Sequence, residues 1–193
     1  KLKEGLNKFK LVMLGNLDPG IQIDLLSQIE NDDKFVILDT MNYWIDNTEK
    51  KLFEIISKVN LIVINDEESK MIAKSDSLQK CAEHIMNCGP EYVIIKKGSK
   101  GAELFSKQKQ SIIPAFNIKN VIDPTGAGDT FVGGICGYLN SRPKIDFVEL
   151  HNSMIYGTVI ASFCIEEFGL AGLQKLKKEN IESRIKTFDK YLL

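Results

Sequence analysis

Four short runs made almost wholly of apolar residues recur along the chain, at 9–14, 35–38, 61–64 and 92–95. Each ends in a polar turn that leads into a stretch of helical periodicity. Runs this short and continuous suit strands buried on both faces. Their alternation with helices is the pattern of right-handed βαβ units around a parallel sheet. The first helix opens at Asp18-Pro19, with Ile21, Leu25, Leu26 and Ile29 at helical spacing. A second runs from about Asn47, with Leu52, Ile55, Ile56 and Val59 on one face. Two helical segments follow Ile64, and the later one holds Leu78, Cys81, Ala82, Ile85 and Met86 before Gly89-Pro90 breaks it.

Beyond the fourth run, 102–105 and 111–113 predict a hairpin around Lys107-Gln108-Lys109-Gln110. Three more helices complete the pattern. One carries Phe131, Ile135, Tyr138 and Leu139, where Gly133 with Gly137 would admit a close neighbour. One runs from about 147 to 166, with Leu150, Met154, Gly157, Ala161 and Ile165 inward, and the last, from about Asn180, holds Ile181, Ile185, Phe188 and Leu192. No repeat, low-complexity segment or linker interrupts residues 1–193. The expectation is a single three-layer α/β/α unit with a mainly parallel sheet.

A length of 193 residues with 44% hydrophobic content supports one sizeable core, and a net charge of −1 gives no basic field for nucleic acid or a membrane surface. No apolar run reaches the roughly 18–20 residues that cross a bilayer, and no signal segment opens the chain. Cys81, Cys88, Cys136 and Cys164 stand singly in apolar or helical stretches, which fits reduced thiols in a cytoplasmic protein rather than zinc or a redox pair. His84 and His151 have no ligand partner at metal spacing, and Trp44, beside Met41 and Tyr43, either walls a pocket or sits in the core.

In an open α/β sheet a ligand sits beyond the carboxyl ends of the strands. Those ends are Gly15-Asn16, the 39–42 stretch, the 65–68 stretch, the 96–101 stretch and the 123–129 loop. The last is the most informative. It passes through Pro124-Thr125-Gly126-Ala127-Gly128 and becomes helical at Asp129. Three residues with almost no side chain let backbone amides approach an anion at a helix start, where the macrodipole adds positive charge. A carboxylate there is ordinary as a cap. Beside an anion nest it is also placed to deprotonate a hydroxyl that attacks a bound phosphate.

The string Asp123-Pro124-Thr125-Gly126-Ala127-Gly128-Asp129-Thr130-Phe131, followed by Gly133-Gly134, resembles the signature of the ribokinase-like (PfkB) family of sugar and nucleoside kinases. Asn65 and Glu68 match that family's Asn-x-x-Glu motif, which helps organise the magnesium of the nucleotide; as residues alone they read equally well as a helix cap. Lys96, Gly98 and Gly101 match a strand end that lines the family's ATP site. The resemblance implies ATP-dependent transfer of a phosphoryl group to a hydroxymethyl group of a sugar or nucleoside. Asp129 would be the general base and the amides of Gly126, Ala127 and Gly128 the anion hole. It further implies ATP and Mg2+ as cofactors, in some members a monovalent cation such as K+ near Asp123, and adenine contacts in the region of Gly157. Asp39 and Asn42 correspond to a polar strand end near the phosphate path, and a homodimer is compatible with the family.

Family members are about half as long again, so the expectation is a chain lacking the N-terminal strands, the lid and most of the acceptor pocket. Neither a GxxxxGK[ST] loop nor a GxGxxG fingerprint occurs, which disfavours a dinucleotide-dependent oxidoreductase. The competing expectation is a nucleotide-binding module without catalysis.

Overall fold

A computed structural model describes Leu2, Gly5 and residues 8–192, with side chains as far as Phe188. Six strands form one sheet in the order β1 (Leu11–Leu14), β2 (Phe35–Asp39), β3 (Leu61–Asn65), β4 (Tyr92–Lys96), β5 (Ala102–Phe105) and β6 (Gln110–Ile113). The first four pair in parallel, with Leu14 opposite Leu38, Asp39 opposite Val63 and Asn65 opposite Lys96. The hairpin expected after the fourth strand is present as β5 and β6.

The chain divides into two compact units, Lys1–Lys97 with Glu103–Gln110, and Gly98–Ala102 with Ser111–Leu193. In the first, α1 (Pro19–Ser27), α2 (Asn42–Asn47), α3 (Glu49–Ile56), α4 (Asp66–Ala73) and α5 (Leu78–Asn87) connect the parallel strands. One core packs Val36, Leu38, Ile62, Ile64, Val93 and Ile95 of the strands against Leu26, Leu52, Ile55, Ile56, Ile72 and Ile85 of the helices. Ile37, Leu61, Val63 and Ile94 alternate with them and are fully buried too, so β2, β3 and β4 are covered on both faces. Each such side chain contributes about 1.5–3 kcal/mol by leaving water, which is why continuous apolar runs fix these strands at the centre.

Two details differ from the expected pattern. In α1 the buried residues are Pro19, Gln22 and Leu26, while Ile21 faces solvent at 52% exposure. Asp18 caps the helix through Gly20 and Ile21, and that start sets the phase of the turn. Gln22 lies inward because its Nε2 donates to the Gly15 carbonyl at 2.6 Å, anchoring α1 to the end of β1. The second difference is α2, which begins five residues before the expected helix and has no buried residue, so no apolar periodicity announced it.

The second unit contains α6 (Ala127–Leu139), α7 (Phe147–Cys164), α8 (Ala171–Gln174) and α9 (Lys178–Leu192). Close approach of α6 and α7 rests on Gly134 and Gly157. A Cβ on Gly134 would lie 2.7 Å from Gly157 Cα, and one on Gly157 would lie 2.6 Å from the Phe131 carbonyl oxygen. Gly133 and Gly137, expected to admit a close neighbour, have open space around them instead. Helix phase turns them outward. Arg184 of α9 donates to Glu166 at 2.8 Å and to Ser162 at 2.9 Å, and its guanidinium lies 3.5 Å from the Phe163 ring centroid. Phe188 of α9 is buried as expected, whereas the side chain of Leu192 lies outside the described residues.

The start of α7 gives a pH-dependent expectation. The amides of Glu149 and Val148 hold the Asp146 carboxyl below its ordinary range. A depressed carboxyl stabilises the fold above its unfolded pKa and loses that contribution as pH falls through its lower folded value. Asp146→Ala should therefore melt earlier than the parent at neutral pH. The gap should close on acidification in parallel thermal melts.

Candidate active site

In the first unit, three adjacent parallel strands end in residues that carry chemistry. Asp39 closes β2, Asn65 closes β3 and Lys96 closes β4. The register sets Asn65 beside Lys96. Lys96 Nζ lies 3.4 Å from Asp39 Oδ1, and that carboxylate is nearly buried, at 5% residue exposure. Asn65 and Glu68 form a reciprocal capping box. Asn65 Oδ1 accepts from the Glu68 amide at 2.8 Å, and Glu68 Oε2 accepts from the Asn65 amide at 2.9 Å. Both sequence readings of this motif are thus compatible, since the cap engages one carboxylate oxygen and leaves the other.

Burial pushes the Glu68 carboxyl above its ordinary range; the Asn65 amide and then Lys96 oppose that shift, and Asp39 adds to it. Two acids against one ammonium leave an excess of negative charge among hard oxygen donors. Among the described residues no group of three or more His, Cys, Asp or Glu could form a complete metal cage. This donor set fits Mg2+ held with its waters and with a nucleotide's phosphates, rather than by protein alone. Among the described residues two buried oxygens, Thr40 Oγ1 next to Asp39 and Gln22 Oε1 on α1, have no hydrogen-bond partner. Gln22 was missed by sequence reasoning, and its only signal is an amide set within an apolar stripe.

Trp44 is not a core residue. It is half-buried, its Nε1 donates to Asn16 Oδ1 at 2.8 Å, and Asn16 Nδ2 donates to Met41 Sδ at 3.0 Å. The Tyr43 ring meets it edge-on, with centroids 4.8 Å apart and planes at 83°.

In the second unit, the glycine-rich loop and the start of α6 have the expected form. Gly126 is the N-cap at φ 78°, a left-handed conformation that glycine adopts without strain, and no side chain caps the helix. The Ala127 amide donates to the Pro124 carbonyl at 3.2 Å and the Thr130 amide to the Gly126 carbonyl at 2.9 Å. No protein acceptor engages the amides of Gly126, Gly128 or Asp129 among the described residues. Asp129 itself is exposed in the first turn of the helix. An uncapped helix start with free amides and an adjoining carboxylate can bind an anion and accept a proton beside it.

Asp123 folds back on the same loop, its Oδ1 accepting from the Thr125 amide at 2.9 Å. That bond is the main reason its carboxyl lies below the ordinary range. The amides of Ile122 and Asp123 both donate to the Ile165 carbonyl, at 2.8 and 3.4 Å, tying the loop to the end of α7.

The remaining sequence candidates are glycines. Gly98, at φ 55°, has open space around it. Gly101, at φ 87°, closes a 3₁₀ turn onto the Gly98 carbonyl at 3.0 Å, and a Cβ there would stand 2.0 Å from the Ile113 carbonyl oxygen. Gly157 lies inside the α6–α7 contact, so packing accounts for it. Of the two histidines, His84 is exposed and His151 bonds Ser111. All four cysteines are free, Cys81 and Cys164 being buried.

The strand ends of the first unit thus gather two carboxylates and an ammonium, and in the second unit the glycine-rich start of α6 carries no side-chain cap. Residues 9–176 match the pfkB family carbohydrate kinases, and the chain belongs to that family. It is 30% identical to a cytidine kinase of Thermococcus kodakarensis over 147 residues, which are 73% of this chain and 52% of that protein. It is 26% identical to a ribokinase of Staphylococcus aureus over 121 residues, 60% of this chain and 38% of that protein. The chain thus spans about half or less of these two curated relatives. Among solved structures, an aminoimidazole riboside kinase from Salmonella enterica, complexed with aminoimidazole riboside and an ATP analog, superposes with TM-score 0.79. That alignment has 16% identity and covers 92% of this chain and 63% of the other. A ribokinase from Giardia lamblia gives TM-score 0.81 at 17% identity, covering 95% and 61%. These likenesses show the ribokinase-like fold.

Proposed function

We propose that this chain handles the nucleotide in an ATP-dependent kinase that moves the γ-phosphoryl group to a hydroxymethyl group of a sugar or nucleoside. The observation that carries this reading is the uncapped start of α6, where free amides at Gly126 and Gly128 adjoin the exposed carboxylate of Asp129. Asp129 takes the proton from the acceptor hydroxyl as its oxygen bonds to the γ-phosphorus. The bond from that phosphorus to the β–γ bridging oxygen breaks, and ADP leaves. The turn formed by Gly126, Ala127 and Gly128 steadies the charge on the transferring group. Gly126 and Gly128 contribute first, because the Ala127 amide is already engaged.

Asn65 and Glu68 would hold Mg2+, largely through water, and that ion would neutralise charge on the nucleotide phosphates. Lys96 offers a point charge to phosphate, and Gly98 and Gly101 let backbone approach the nucleotide. Asp123 is assigned to a monovalent cation such as K+. Gly157 serves by allowing α7 to approach α6 closely. The cytoplasm is the proposed compartment and a homodimer the proposed assembly. The acceptor is proposed as a sugar or nucleoside because the relatives include a cytidine kinase and a ribokinase.

Isothermal titration with ATP–Mg2+, run beside an ADP-release assay over ribose, fructose and nucleosides, tests the reading. Binding with acceptor-stimulated release supports it. Binding without release supports a nucleotide-binding module, and absence of binding removes the proposal. Glu68→Gln keeps an acceptor oxygen for the cap but loses the charge. It is expected to raise the Mg2+ concentration needed for half-maximal ATP binding by about 10–100-fold. An unchanged Mg2+ dependence would take Glu68 out of the metal's surroundings.

A further inference from the structure

Lys96 and Asp39 form an ion pair between strands that are not neighbours. Asp39 ends β2, Lys96 ends β4, and β3 runs between them. Asp39 pairs with Val63, and Lys96 pairs with Asn65 two residues further along β3, so their side chains share one face of the sheet. Strands two places apart are separated by about 9–10 Å, yet Lys96 Nζ stands 3.4 Å from Asp39 Oδ1. The ammonium therefore reaches across the end of β3, where Asn65 caps α4. Asp39 is itself fixed, because the Thr40 amide donates to the same oxygen at 3.1 Å and the carboxylate is nearly buried.

A second carboxylate competes for that ammonium. Glu68 is buried in the first turn of α4; burial raises its carboxyl, while the Asn65 amide and then Lys96 act against the rise. Its Oε2 accepts from the Asn65 amide, which leaves Oε1 to meet either a cation or Lys96. A lysine closed on Glu68 would occupy the oxygen that the proposed Mg2+ needs, since both draw on the same lone pairs. The observed ion pair is with Asp39 instead. An ammonium has three donors, so one spent on Asp39 leaves others for phosphate. We infer that Asp39 is a positioning residue: it draws Lys96 across β3 and away from Glu68, and so keeps the Glu68 carboxylate open to the nucleotide's cation. This inference rests on the kinase reading and adds to it a residue that acts through Lys96.

A double-mutant cycle on the full chain tests it, read as the Mg2+ concentration that half-saturates ATP binding in calorimetry. Asp39→Asn keeps the side chain's size and an acceptor for the Thr40 amide but releases Lys96. It should raise the Mg2+ requirement about tenfold or more. In a Lys96→Met background the same substitution should raise nothing, so the double variant should need no more Mg2+ than Lys96→Met alone. An equal rise in both backgrounds would mean that Asp39 attracts the cation by its own charge, and would overturn the positioning role. So would an unchanged requirement in Asp39→Asn. Melting curves on each variant identify loss of fold, and Asp39→Ser, with a smaller side chain and the same expectation, replaces Asp39→Asn if that variant does not fold. A purely structural role would lower Tm without making the Mg2+ requirement depend on Lys96. ATP–Mg2+ binding by the parent with no such dependence overturns the positioning role and leaves the kinase reading standing. Absence of ATP–Mg2+ binding by the parent overturns the kinase reading, and this inference with it.

Discussion

Asp129→Asn is expected to lower acceptor-stimulated ADP release by about 10²–10⁴-fold, the usual contribution of a positioned general base, while ATP affinity stays close to that of the parent. The change is nearly isosteric and falls on an exposed side chain in the first turn of α6, so the fold has little reason to respond. The separation between turnover and affinity is the informative part. A variant that loses ATP binding as steeply as turnover would make Asp129 a nucleotide ligand, and one with parental turnover would leave the reaction without its assigned base. Measuring both on one preparation, by coupled ADP assay and by calorimetry, distinguishes the outcomes.

Gly157→Ala should have the largest effect on stability among the substitutions considered. The new methyl group would stand 2.6 Å from the Phe131 carbonyl oxygen and 3.0 Å from its ring, at a place where two helix backbones already touch. The helices must then separate, at a cost of about 1–3 kcal/mol, or roughly 2–12 °C in Tm for a chain of this size. Gly133→Ala on the neighbouring helix is the control. Its Cβ meets nothing within 4 Å, and alanine favours helix over glycine, so that variant should melt no lower than the parent. Equal melting of the two variants would remove the assigned contact. Loss of ATP affinity in Gly157→Ala without a drop in Tm would instead place Gly157 at the nucleotide.

The contrast between those two glycines shows what the sequence could reveal. Strands were legible because both their faces are buried: 35–38 and 61–64 contain nothing polar, 92–95 only the hydroxyl of Tyr92, and each lies in an observed strand. Helices with an apolar stripe were legible for the same reason. Which glycine on α6 meets α7 depends on rotation about the helix axis, to which composition is blind, and the pairing fell to Gly134 rather than Gly133 and Gly137. Helix α2 stayed hidden because it buries nothing. In α1 the cap at Asp18 and the bond from Gln22 to Gly15 outweighed hydrophobic ranking, and Ile21 was left outside. The division into two compact units gave no signal, since no change of composition marks Lys97–Gly98 or Gln110–Ser111.

The candidate site was legible where spacing carries the chemistry. Asn65 and Glu68 stand three apart because a capping box requires it, and Gly126 precedes α6 because its backbone turns left-handed there. The Lys96–Asp39 pair and the Asn16–Trp44 bond join residues 57 and 28 positions apart. Strand register brings such partners together, and register is invisible until the sheet is built.

Glu68 secures the first turn of α4 with one oxygen and, in the proposed chemistry, attends the nucleotide's cation with the other. The dependence between these two duties runs one way. Unwinding the turn would scatter the ligands, but departure of the cation would leave the Asn65–Glu68 clasp closed. The mould would then persist through each cycle of nucleotide exchange, so an incoming ion would meet ligands already in place.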